Sequence, residues 1–168
     1  MISDSPYKVD EMALSPFAGM FAGLVAAFLM LGIVILMEPY SGLSVESVLR
    51  QFATLVLPKR FEQMEPNTLM LIGLGVHLLL RLLLSLLYSV CQQRIPTRGL
   101  IAVGTFFGFI LWITGSVIIG TLLGAEWRSA SRSWTWLLAN LAFGLCLATF
   151  AMIAQSRRPA TTVAVPRD

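Results

Sequence analysis

The sequence predicts an all-α fold: a four-helix transmembrane bundle with an interfacial amphipathic helix between the first and second spans. Composition points there first, since 57% of the 168 residues are hydrophobic and only 12% charged, with a mean hydropathy of +0.79, outside the range of soluble domains. Second, residues 12–37, 99–125 and 133–156 contain no charged side chain, and each run exceeds the roughly 20 residues that carry a helix across about 30 Å of hydrocarbon. Third, residues 68–91 are equally apolar except for His77 and Arg81.

The elements follow in order. The first span covers about residues 14–37. Its leader carries Asp4, Asp10 and Glu11 against Lys8, and its apolar run is too long for the core of a secretory signal, so the span is expected to be retained. In the connection that follows, Val45, Val48, Leu49, Phe52, Leu55 and Val56 recur at helical spacing, which predicts an interfacial helix over 44–57. Ser44 caps it and Pro58 ends it. Glu46, Ser47, Arg50 and Gln51 form its polar face. A helix of this kind packs on the spans or docks a partner, and the pattern fits both. The remaining spans are expected at 68–91, 99–123 and 134–155, completing a single domain over 1–158. The tail 159–168 has too little apolar mass to fold and reads as flexible.

An even number of spans puts both termini on one side. The termini and the 92–98 loop carry Lys8, Arg94, Arg98, Arg157, Arg158 and Arg167, against Arg50, Lys59, Arg60, Arg128 and Arg132 on the other side. The counts barely differ, but Arg94, Arg98, Arg157 and Arg158 lie close to span ends. Tyr40, Trp127, Trp134 and Trp136 mark the opposite interface. Both features favour cytoplasmic termini.

Helices in lipid associate through small residues that let backbones approach. The chain offers Gly19 and Gly23, continuing to Ala27, then Gly104 and Gly108, Gly120 and Gly124, and Gly144 four residues after Asn140. Such faces serve packing within one chain, a homo-oligomer or a larger membrane complex. The glycine pairs of the odd spans match around Phe21 and Phe106. In the even spans, His77 to Arg94 and Asn140 to Arg157 share a spacing. Together these suggest a two-plus-two repeat of parallel hairpins.

Gly73, His77, Arg81, Ser85 and Ser89 recur every fourth residue and form one polar stripe on the second helix. Arg81 stands about 15 Å of helix from Cys91, too deep to snorkel easily. An arginine there costs about 2.5–3.5 kcal/mol on insertion scales and is a functional candidate by default. No Asp or Glu lies within the other three spans. The partners available in the chain are Asn140, Thr105, Thr114, Ser116, free carbonyls or water, and none is an anion. Two readings stand. Either Arg81 meets a negative group from outside the chain, on a neighbouring subunit or on an anionic lipid or ligand, or carbonyls and water satisfy it in a polar core.

The inventory excludes most chemistry. His77 is the only histidine, so it cannot form a bis-His haem site alone, and no Cys or carboxylate stands at a spacing to share a metal with it. Cys91 and Cys146 differ in depth by roughly 14 Å, which rules out a redox pair. Ser85 and His77 share a face, but no carboxylate orients the base. No phosphate-cradling glycine loop, zincin motif or nucleophile elbow is present. The first span lacks the membrane glutamate of small four-span multidrug transporters. A net charge of +3 without a basic stripe outside the membrane gives nucleic acid no footing. No cofactor, metal or catalytic residue is expected.

The PFAGMFAG run that opens at Pro16, His77 followed by small or polar residues and then Tyr88, the Arg98 and Gly99 start of the third span, and Asn140 through Gly144 give residues 16–155 a likeness. Over that stretch the chain resembles the uncharacterised four-span integral membrane proteins of bacteria. The resemblance implies the four-span fold and brings no activity. The expected function is that of a non-enzymatic accessory or assembly subunit packing through its small-residue faces. The alternatives are a small-molecule, lipid or ion conduit lined by His77, Arg81 and Ser85, and a redox-complex subunit supplying one histidine ligand.

Overall fold

The computed structural model describes residues 16–57, 64–123 and 125–156. The leader, Pro58, Gly124 and the 159–168 tail lie outside them. All regular structure among the described residues is helical. Four helical stretches are long and apolar enough to cross a membrane. They are α1 (Pro16–Ser41), α3 (Pro66–Cys91), a third span that begins with α4 (Leu100–Ile113), and α7 (Trp134–Ser156). The chain is a multi-pass membrane protein.

α1 stops where Gly42 takes φ +66° and its N–H donates to the Glu38 carbonyl at 2.9 Å, a left-handed cap that a side chain would strain. Two residues on, Ser44 Oγ accepts the Ser47 N–H at 3.1 Å and starts α2 (Val45–Ala53). The Leu55 and Val56 N–H groups then reach back only three residues, to the Phe52 and Ala53 carbonyls. Regular α-helix therefore ends at Ala53, and a tightened turn leads towards Pro58, which disfavours helical geometry in the residue before it. Glu46 and Arg50 pair at 2.9 Å on the exposed face, while Val48, Leu49, Phe52 and Ala53 are buried. α2 is packed into the bundle: a Cβ on Gly73 would land on the Leu49 carbonyl, and the Phe52 ring stands 4.9 Å from that of His77.

In cross-section the spans form an arc in the order α3, α1, α7, α4. Small residues set the close pairs. Gly19 and Gly23 of α1 face Ser89 and Ser85 of α3, and a Cβ on Gly19 would lie 2.8 Å from that of Ser89. Gly104 and Gly108 of α4 face Gly144 and Asn140 of α7, and a Cβ on Gly104 would stand 2.5 Å from the Gly144 carbonyl oxygen. These glycines are thus used within the chain. Both hairpins repeat the arrangement, but the register sets Asn140 opposite the second glycine, where the first hairpin has Ser85 rather than His77.

The ends of the arc, α3 and α4, touch where the Tyr88 and Phe107 rings meet at a tilt with centroids 5.2 Å apart, and a cavity lies between α3 and the third span at Leu80, Leu84, Leu111 and Thr114. The third span also changes character there. After α4 it becomes a π segment (Thr114–Ile119), closed by the Gly120 N–H donating to the Gly115 carbonyl, and continues as α5 (Gly120–Leu123). α6 (Ala125–Ser131) folds back along it. Ser116 Oγ donates to the Ser131 carbonyl at 2.6 Å, Trp127 Nε1 to Gly115 at 3.3 Å, and Arg128 Nε to Gly120 at 3.4 Å. These three bonds fasten α6 to the π segment and to the start of α5.

Of the four aromatics expected at one interface, Tyr40 and Trp134 are exposed, whereas Trp127 and Trp136 are buried. The last two face inward because α6 and the first turn of α7 pack on Phe52, whose ring lies 5.3 Å from Trp127 and 6.0 Å from Trp136.

Candidate functional site

The five stripe residues of α3 part company in the structure. Gly73 admits the α2 backbone. Ser85 and Ser89 press against the glycines of α1, and their hydroxyls donate to the carbonyls of Leu82 and Leu86 in their own helix, each at 2.8 Å. His77 is fully buried, with Nε2 3.4 Å from the Ala27 carbonyl oxygen. The tautomer that donates there leaves Nδ1 as an acceptor, and Nδ1 has no partner. His77 is thus enclosed by α1 and Phe52, and only Arg81 reaches open space.

Arg81 lies fifteen residues into α3, ten before its end, hence about 22 Å and 15 Å of helix from the two ends. It is 6% exposed. One of its N–H groups, on Nη1, donates to Asn140 Oδ1 at 3.2 Å. Asn140 is held in turn by its own Nδ2, which donates to the Trp136 carbonyl at 2.8 Å. The guanidinium carbon stands 4.9 Å from the centroid of Phe143 and 5.9 Å from that of Trp136, within range of cation–π attraction. The ion pair formed among the described residues, Glu46 with Arg50, lies on α2 and leaves Arg81 without a carboxylate. A guanidinium carries five donors, so most of its hydrogen-bonding capacity is unused.

Those donors face a cavity of about 240 Å³. Trp136 and Asn140 of α7 form its back. Leu80, Leu83 and Leu84 of α3 form one side, and Leu111, Thr114 and Ile119 of the third span the other. Phe52 and Trp127 close it at one end; the Tyr88 and Phe107 rings bring α3 and α4 together at the other. Leu83 is 56% exposed, so the cavity opens sideways between α3 and the third span. It is an apolar groove facing hydrocarbon, with one permanent cation at its back.

Sequence reasoning found Arg81 and Asn140 but missed the rings that flank the cation. The signal was present. Trp136, Asn140, Phe143 and Leu147 recur at three- and four-residue steps, so any partner reaching Asn140 also meets the rings one turn to either side. The leucine and isoleucine walls carry no such signal, because their pattern is that of any lipid-facing helix.

Among the described residues no group of three His, Cys, Asp or Glu could hold a metal, and Cys91 and Cys146 are both free. No curated protein and no solved structure matches the chain. A family model does match residues 14–162, so the chain belongs to the family of unknown function DUF6789.

Proposed function

We propose that this chain is a non-enzymatic accessory subunit of a bacterial inner membrane, with both termini cytoplasmic, and that it works by holding an anionic group from outside itself against Arg81. One observation carries the reading: a buried guanidinium at mid-depth makes a single hydrogen bond and turns its remaining donors into a groove open to the bilayer. A charge in hydrocarbon is stabilised only by partners that meet its donors. Asn140 and two ring faces meet it in part, which leaves room for a stronger acceptor. The groove opens towards lipid, while α2 and α6 cover its end. Such an opening suits a partner arriving within the membrane plane better than a solute crossing it.

Native mass spectrometry of the protein released from its own membranes in a mild detergent tests this. Wild type should carry an additional bound species, and Arg81→Leu should remain folded and lose it. If both carry the same species and Arg81→Leu is simply more thermostable, the residue is a core arginine and the reading fails.

A further inference from the structure

We infer that the anionic group is a single Asp or Glu side chain at mid-depth on a transmembrane helix of a different protein, which lies in the groove between α3 and the third span. The inference rests on the reading of Arg81 given above and names its partner. Three arguments lead to it.

The first is depth. Arg81 is about 15 Å of helix from the nearer end of α3. A lipid phosphate or carboxylate head is held at the interface by its own hydration, whereas an acid on a spanning helix is carried to mid-depth by the residues around it. The second is shape. The two ends of the arc meet at Tyr88 and Phe107, and α3 and the third span both line the groove, so its exposed Leu83 side is flanked by two helices that a further helix would touch together. The cavity of about 240 Å³ is far too small for a helix and large enough for one acidic side chain reaching in from a helix laid across the opening. The third is charge. Arg81 can pair in bidentate fashion with one carboxylate through donors that are now unused.

A second copy of this chain cannot supply that acid. Its nine acidic residues are Asp4, Asp10, Glu11, Glu38, Glu46, Glu62, Glu65, Glu126 and Asp168. Glu38 comes nearest to a span interior, and it lies in the last turn of α1. The partner is therefore a different polypeptide with an acid near the middle of a span.

The test uses the full chain in phosphatidylcholine vesicles, with a donor dye on the exposed Cys91. The probes are Leu/Ala spanning peptides of about 22 residues, each carrying an acceptor dye and either a central Glu, a central Gln, or a Glu two turns from one end. Dibrominated stearate, read through quenching of Trp127 and Trp136, serves as the amphiphile arm. The central-Glu peptide should associate at least tenfold more tightly than either other peptide. That preference should vanish in Arg81→Gln and in Leu83→Trp, which blocks the mouth of the groove without touching the cation. Equal binding of the Glu and Gln peptides overturns the inference. So does Arg81-dependent quenching by the brominated acid with no peptide preference, although the anion-holding function then stands. If wild type prefers neither acid, both the inference and the proposed function fall.

Discussion

Asn140→Leu is the most direct probe of how the chain holds its cation. The substitution keeps a side chain of similar length and removes the one acceptor that Arg81 has, the 3.2 Å bond to Oδ1. A hydrogen bond to a charged group contributes about 1.5–3 kcal/mol, so the variant should lose about 2 kcal/mol. In a chain of this size that is a fall of roughly 4–8 °C in unfolding temperature. Arg81→Leu removes the same bond, but it also removes the charge that made the bond necessary. An arginine at that depth costs about 2.5–3.5 kcal/mol, which approximately balances the lost hydrogen bond and ring contacts. Its stability should stay within about 1 kcal/mol of wild type or rise. The double variant should then be no less stable than Arg81→Leu alone, giving a coupling of about 1.5–3 kcal/mol. The assay is reversible unfolding of the four proteins in mixed micelles. If the two single effects add to within about 0.5 kcal/mol, Arg81 and Asn140 do not interact, and the geometry of the site is wrong.

Other substitutions test the frame around the groove. Gly144→Val should destabilise by at least about 1–3 kcal/mol, since its side chain would collide with the Gly104 carbonyl. Gly75→Ala, with nothing within 4 Å of its new Cβ, should stabilise by about 0.5–1 kcal/mol, and thermal unfolding in detergent separates the two. Ser44→Ala removes the α2 cap and should cost about 1 kcal/mol, with faster amide exchange confined to residues 45–53. A membrane-impermeant maleimide should label exposed Cys91 in inverted vesicles but not in intact cells, and Cys146 in neither. Labelling of Cys91 from outside intact cells would reverse the proposed orientation.

Much of the fold was legible because a bilayer imposes simple demands. An uncharged run from residue 133 to 156 has few choices other than to span, and the glycines at 104, 108 and 144 mark a close helix contact in the sequence itself. Arg81 was legible for the same reason, since a lone charge in such a run stands out. Three features were not. The π segment at Thr114–Ile119 coincides with tertiary contacts, where Trp127, Arg128 and Ser131 engage the third span; nothing in the apolar pattern encodes an extra residue per turn. The inward turn of Trp127 and Trp136 depends on where α2 comes to rest, and aromatic residues near a span end look the same whether they face lipid or core. The groove depends on which pair of spans fails to pack, and Leu83 in a groove wall is indistinguishable in sequence from Leu79 on the lipid face.

The energetics of Arg81 also explain why an incompletely paired cation is compatible with a folded chain. The insertion cost of about 2.5–3.5 kcal/mol is offset by one charge-assisted hydrogen bond of about 1.5–3 kcal/mol and by ring contacts of about 0.5–2 kcal/mol. The balance is close to zero, so the bundle needs no visitor in order to fold. The other donors stay unbonded, and bringing them to Thr114 on the facing wall would require α3 to close against the third span. Closure is resisted on both sides. α2 is wedged under α3 at Gly73, and α6 is bonded to the π segment through Trp127 and Arg128. α2 was legible in the sequence; α6 and the π segment, which were not, hold the other side of the groove. Releasing them offers a separate check on the argument: Trp127→Ala should loosen α6, let the third span approach α3, and reduce solvent or lipid access at a cysteine placed at Leu83. Unchanged labelling of Leu83→Cys in that background would mean that the groove is held open by something other than this latch.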